Sequence, residues 1–135
     1  MTIRQFNRCV RIAQKKLKKV KRVQYRHFCF ICKGNKIFAI GMNSSNTHPK
    51  SNTFYKAKHA EFDALNRFKK LFPGSRVDNK TVLVIRLNNQ GKIRMSKPCD
   101  WCVSFASQFD LDKIFYSNEN GELDVCFIQE IINER

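Results

Sequence analysis

The chain has 135 residues, enough for one compact domain, 1–135, around its own apolar core. It holds no run of about 18 apolar residues, which excludes a membrane-spanning helix, and its start, "MTIRQFNRCVRIAQKK", lacks the apolar stretch of a secretory leader. The formal net charge is +15, and no Asp or Glu precedes Glu61, so the whole excess lies in the first sixty residues.

Such asymmetry suggests a polyanionic partner or substrate. A basic helix surface that only keeps the chain in solution explains it equally well. Six cysteines in a chain without an export signal point to metal binding or burial rather than to a disulfide framework. A cytoplasmic setting follows, the host's cytoplasm if the chain is viral.

In chain order, Ile3, Phe6, Val10, Ala13, Leu17 and Val20 recur at helical spacing, with Arg4, Arg8, Arg11, Lys15, Lys18 and Arg22 on other faces. This predicts an amphipathic helix, basic outside. A membrane-surface helix has the same pattern, but the strands that follow need a cover, which favours packing. Phe28 to Lys33 and Lys36 to Met42 are strand formers around Gly34-Asn35, a two-residue turn pair, and predict a hairpin. A polar connection, "NSSNTHPKSNTFYK", is long enough to be functional. "HAEFDALNRFKKLF" predicts a helix stopped by Pro73-Gly74.

"KTVLVIRL" is a nearly unbroken apolar run, as expected of a strand buried on both faces. Asn88 to Lys97 reads as a loop. "CDWCVSFASQF" predicts a helix with Pro98 at or just before its start. "KIFYS" is a second buried strand and "NENG" a turn. Val125 to Ile132 reads as a short closing helix, with a strand starting at Asp124 as the alternative. Strands separated by helices favour a parallel arrangement with helices on both faces.

The chemistry begins at "KPCDWC". Cys99 and Cys102 stand at i and i+3, on one face of a helix's first turn, where the partial positive charge of the N-terminus favours thiolates. Two thiolates leave a zinc ion unfinished, since catalytic zinc takes three protein ligands and keeps one position for water. His59 opens the preceding helix, and Glu61 stands two residues on. Together, H-A-E and P-C-x-x-C form the zinc-deaminase signature. By contrast, "CFIC" at 29–32 is a decoy, because i and i+3 point to opposite faces of a strand. Cys9 and Cys126 read as small core residues.

On "HAEFDAL", "SKPCDWC" and the order of elements, the chain resembles the cytidine and deoxycytidylate deaminase superfamily, and looks most like its small bacteriophage members. The resemblance implies an α/β fold of three layers, α-β-α, whose mixed sheet carries an N-terminal hairpin and helices on both faces. It implies Zn2+ held by His59, Cys99 and Cys102, and Glu61 as the acid–base group that moves protons from water to the ring and to the leaving amine. Without the motif partners, Glu61 would read only as a helix-start carboxylate on the dipole. It further implies that the Ala60 N–H binds the pyrimidine carbonyl, that the Ser96 carbonyl faces the departing amine, and that Asn43 contacts the sugar. Asn43 reads equally as a turn former. Tyr116 and His48 are weaker candidates for lining the substrate pocket. Relatives are often dimers or tetramers, so a homo-oligomer is admitted, although no interface stripe stands out.

The expected function is hydrolytic conversion of cytosine to uracil. Single-stranded nucleic acid stands slightly ahead as substrate, because basic residues supply nonspecific phosphate affinity. The alternatives are a deaminase of free dCMP or (deoxy)cytidine, an adenosine deaminase acting on tRNA, and a zinc-stabilised nucleic-acid-binding module without turnover. The last would need a fourth ligand to close its metal site, and none stands at convincing spacing.

Overall fold

The computed structural model describes residues 1–19, 25–43, 59–98 and 100–129. Three helices and six strands alternate: α1 (Ile3–Leu17), β1 (Tyr25–Lys33), β2 (Lys36–Met42), α2 (Ala60–Leu71), β3 (Thr81–Asn88), β4 (Ile93–Arg94), α3 (Asp100–Ser107), β5 (Lys113–Ser117) and β6 (Leu123–Phe127). The strands form one mixed sheet in the order β2-β1-β3-β5-β6, with β4 paired to β3 outside that path.

The hairpin forms as its residues predict. Lys33 pairs with Lys36 around Gly34, whose φ of +58° is the left-handed conformation the turn requires. β1 is antiparallel to both β2 and β3, and β3 is parallel to β5. Hence β2, β3 and β5, the strands separated by helices, all run the same way. The expected crossover logic holds, with β1 inserted between β2 and β3.

Each face of the sheet is covered. Phe28, Phe30, Leu83, Ile85 and Leu87 point to one side and meet Phe6, Cys9, Val10 and Ala13 of α1. Cys29, Ile31, Val82, Val84 and Ile114 point to the other and meet Ala60, Ala64, Leu65 and Phe68 of α2 with Val103 and Ala106 of α3. Period-two alternation along β1 and β3 therefore builds two cores from one sheet, and β3 is buried on both faces as its apolar run predicts. Cys29 and Cys32 separate accordingly. Cys29 joins the α2–α3 side, while Cys32 faces the other side, where its pKa is lowered chiefly by Cys9 of α1, so the 29–32 pair cannot share an ion.

α1 starts at a capping box in which the Gln5 N–H donates to Thr2 Oγ1 (3.1 Å) and the Thr2 N–H to Gln5 Oε1 (2.9 Å). Two expectations need correction. Within the predicted Asn88–Lys97 loop, Ile93 and Arg94 pair with Leu87 and Arg86. Val125 to Phe127, expected in a closing helix, belong to β6, which pairs with β5 from Lys113–Phe127 to Ser117–Leu123. β6 gives the edge of β5 a partner and so satisfies its ladder groups. No helix among the described residues is long and apolar enough to cross a membrane.

Candidate metal centre and active site

Three co-directional strands end at one rim of the sheet, and the N-termini of α2 and α3 meet there. In open α/β sheets this carboxyl end is where ligands bind. His59 is the N-cap residue of α2, in extended conformation (φ −81°, ψ 147°) and without a side-chain cap bond. Cys102 lies in the first turn of α3, its side chain fully buried. His59 Nδ1 and Cys102 Sγ come within 3.2 Å of each other across a gap of forty-three positions in the chain.

That separation suits zinc. Nitrogen and sulfur donors at about 2.1 and about 2.3 Å from one tetrahedral ion stand about 3.6 Å apart, a few tenths of an ångström wider than this pair. The donor chemistry also fits, a buried thiol at a helix N-terminus beside an imidazole. Among the described residues no group of three His, Cys, Asp or Glu side chains forms a cluster. Cys99, the third expected ligand, lies outside the described residues, as does His48.

Glu61 follows in the first turn of α2, only 5% exposed. Its carboxylate faces the sheet closely enough to bear on Cys29, whose thiol is pushed well up, first by burial and then by the charges of Glu61, Cys32 and Asp63. Ala60, just before it, is buried where α2 touches β2. The approach is close because residue 41 is glycine. A Cβ there would overlap Ala64 N and Ala60 O and lie 2.8 Å from Ala64 Cα.

Asp63 completes this junction. Its Oδ2 accepts from the Met42 N–H and from Arg67 Nε, both at 3.0 Å, pinning the first turn of α2 to the end of β2. Asn43 follows directly. Its Oδ1 accepts from the His27 N–H (2.9 Å), and its carbonyl accepts from Arg26 Nη1. The oxygen end of its amide is thus committed to β1, and the NH2 end is the one that can address a ligand.

Ser96 is fixed by a buried knot. Its hydroxyl donates to the Val84 carbonyl (2.7 Å) and accepts from the Ser117 N–H (3.0 Å), while its own N–H donates to the Ser117 carbonyl (2.9 Å). The Ser117 hydroxyl donates to the Arg94 carbonyl (2.8 Å) and accepts from the Arg86 N–H (3.3 Å). Arg86 Nη1 adds a bond to the Met95 carbonyl (3.3 Å). This ties the approach to α3 to the ends of β3 and β5. Tyr116 is buried near the same end of β5. Its pKa is raised by burial and then by the charge of Asp124, its cross-strand partner on β6.

The structure thus brings His59, Ala60, Glu61, Asn43, Ser96 and Cys102 to one rim. Gly41, Asp63 and Ser117 were not expected as site residues from the sequence. The Asp63–Arg67 spacing was a visible i,i+4 signal; the other two carried none.

A three-layer fold with a His–Cys pair at two facing helix N-termini and a buried glutamate beside it defines a metal-dependent hydrolase of the deaminase type. The match to the family model for the cytidine and deoxycytidylate deaminase zinc-binding region spans residues 3–118, and the chain belongs to that family. Its cofactor is zinc and its chemistry hydrolytic deamination. No curated protein matches the chain by sequence. Among solved structures, the apo dCMP deaminase of cyanophage S-TIM5 is similar at 20% identity and TM-score 0.58, covering 99% of this chain and 94% of that one. The same enzyme in complex with dCMP and dUMP gives 21% identity and TM-score 0.56, covering 88% and 85%. Cytidine deaminase from Burkholderia pseudomallei gives 17% and TM-score 0.60, covering 97% and 96%. At these identities the likeness is one of fold.

Proposed function

We propose that the protein hydrolyses the exocyclic amine of cytosine in a free nucleotide of the dCMP class, giving the uracil nucleotide and ammonia. The observation that carries the reaction is the 3.2 Å approach of His59 Nδ1 to Cys102 Sγ with Glu61 buried alongside. His59 and Cys102, with Cys99, would hold the zinc. Bound there, zinc supplies acidification and a fixed place for the attacking water. Glu61 takes a proton from that water, passes it to the ring nitrogen, and carries the second proton to the departing amine. Burial keeps bulk water from competing for its protons. The Ala60 N–H, at the start of α2, meets the ring carbonyl. The Ser96 carbonyl, held by the serine knot, faces the leaving amine. Asn43 offers its NH2 group to the sugar.

The choice of a free nucleotide rests on where the charge sits. α1, with its basic outer face, covers the side of the sheet opposite α2 and α3. A strand held by α1 would have to pass around the sheet to reach Glu61. The cyanophage enzyme bound to dCMP supports the same reading by analogy of fold. The second reading, single-stranded nucleic acid as substrate, is favoured by the +15 charge gathered before Glu61. The test compares uracil formation from dCMP, cytidine and a cytosine-containing single-stranded oligonucleotide. We expect kcat/KM for dCMP to exceed that for the oligonucleotide at least about tenfold, a difference of about 1.4 kcal/mol in transition-state binding. Turnover of the oligonucleotide alone would reverse the order of the two readings.

A further inference from the structure

The excess charge needs its own account. Arg4, Arg8, Arg11, Lys15 and Lys18 are all exposed. At about 100° per residue they fall within one strip about 80° wide, and at about 1.5 Å per residue that strip runs about 21 Å. Among the described residues none of the five pairs with a carboxylate. The helix's other side, Phe6, Cys9, Val10 and Ala13, is buried on the sheet.

Two contacts widen the basic field. Arg8 Nη1 donates to the Asn35 carbonyl (2.5 Å), which brings the hairpin turn with exposed Lys33 and Lys36 beside the first half of α1. Gln14 Nε2 donates to the Gly91 carbonyl (3.1 Å), which brings the β3–β4 turn with exposed Lys92 beside the second half. At that junction lies a cleft of about 330 Å³ lined by Gln14, Leu17, Lys18, Asn89, Gln90 and Gly91. It offers three side-chain amides and one apolar wall. The acidic residues Glu119 and Glu122, on the turn beside Ile93, bound the field at β4.

We propose that this outer face of α1 docks the sugar-phosphate backbone of single-stranded nucleic acid, on the side of the sheet away from the deamination site. This goes beyond the deaminase reading and does not depend on it. The linear strip matches a polyanion that presents a phosphate every few ångströms, and the amide-lined cleft suits the edge of one unpaired base. A lipid surface fits less well, because membrane-lying helices insert their apolar side and here that side is occupied by β1 and β3, leaving only Ile3 of α1 largely exposed at 72%.

The test uses the whole chain and a cytosine-free oligothymidylate, so that the deamination pocket is not engaged. Binding is read by fluorescence anisotropy from about 50 to about 200 mM salt. Log K should fall linearly with log salt, by about 0.7 per phosphate held. The triple variant Arg4→Gln, Arg11→Gln, Lys15→Gln should bind at least about tenfold more weakly and lose about two from the slope. Its turnover of dCMP, where the parent shows it, should stay unchanged. Lys15→Gln with Lys18→Gln repeats the measurement at one end of the helix, away from the Arg8–Asn35 contact. Unchanged affinity and slope in both variants, or no parent binding at the lowest salt, would overturn the proposal. So would anionic vesicles binding the parent while the oligonucleotide does not.

Discussion

Glu61 is a carboxylate only 5% exposed, in a position that strips it of most of its water. Such burial persists when the charge has a task, and the neighbouring His59–Cys102 pair supplies one. Glu61→Gln keeps the size of the side chain and removes its ability to take a proton. It should leave zinc content and thermal midpoint near those of the parent and lower kcat by about 10²–10⁴. Cys102→Ala should behave oppositely, losing zinc first and activity as a consequence. Metal analysis beside uracil release separates the two. A Glu61→Gln protein that turned over within about tenfold of the parent would remove Glu61 from the proton path.

At the scale of elements, the site depends on how closely α2 rides over β2. Gly41 sets that distance, because no side chain fits between it and Ala60 and Ala64. Gly41→Ala should cost about 1–3 kcal/mol, as overpacked contacts do. It should also raise KM for the nucleotide, since Ala60, Glu61 and Asn43 shift with the helix. Gly34→Ala is the control. Its Cβ would meet open space, so the strain of a positive φ costs about 1–2 kcal/mol at the far end of the hairpin, with KM unchanged. Equal kinetics in the two variants would show that the fit at Gly41 concerns stability alone. The same contrast explains what could be read beforehand. The His59–Glu61 and Cys99–Cys102 spacings are local and belong to helix starts, and the α1 and β3 patterns repeat at a fixed period. Gly41, Asp63 and Ser117 act on Ala64 N, the Met42 N–H and the Arg94 carbonyl, backbone atoms remote in sequence that no residue pattern encodes. Val125 to Phe127 fit either period, and the open edge of β5 decided for a strand.

At the scale of the whole molecule, two cores on one sheet leave a fully buried thiol at its centre. Cys29 is 0% exposed and its pKa is pushed well above the ordinary 9.0, chiefly by burial. The unfolded chain loses this proton near pH 9, whereas the folded chain keeps it. Above pH 9 the folded state therefore binds more protons, and stability must fall as pH rises, by up to about 1.4 kcal/mol per unit for this one group. Tyr116, also raised, enters only above its ordinary 10.0. Lysine deprotonation, which relieves repulsion in so basic a chain, is centred around pH 10.4 and acts alike on the parent and on a thiol variant. Cys9, also raised, and Cys32, lowered, titrate from the same ordinary value, so the Cys29 share is read as the difference between the parent and a Cys29 variant from pH 9 to pH 10. Urea unfolding across that window should show the free energy declining in the parent and a shallower slope in Cys29→Ala, whatever that variant's absolute stability. Parallel curves would mean that the Cys29 proton is not held by the fold.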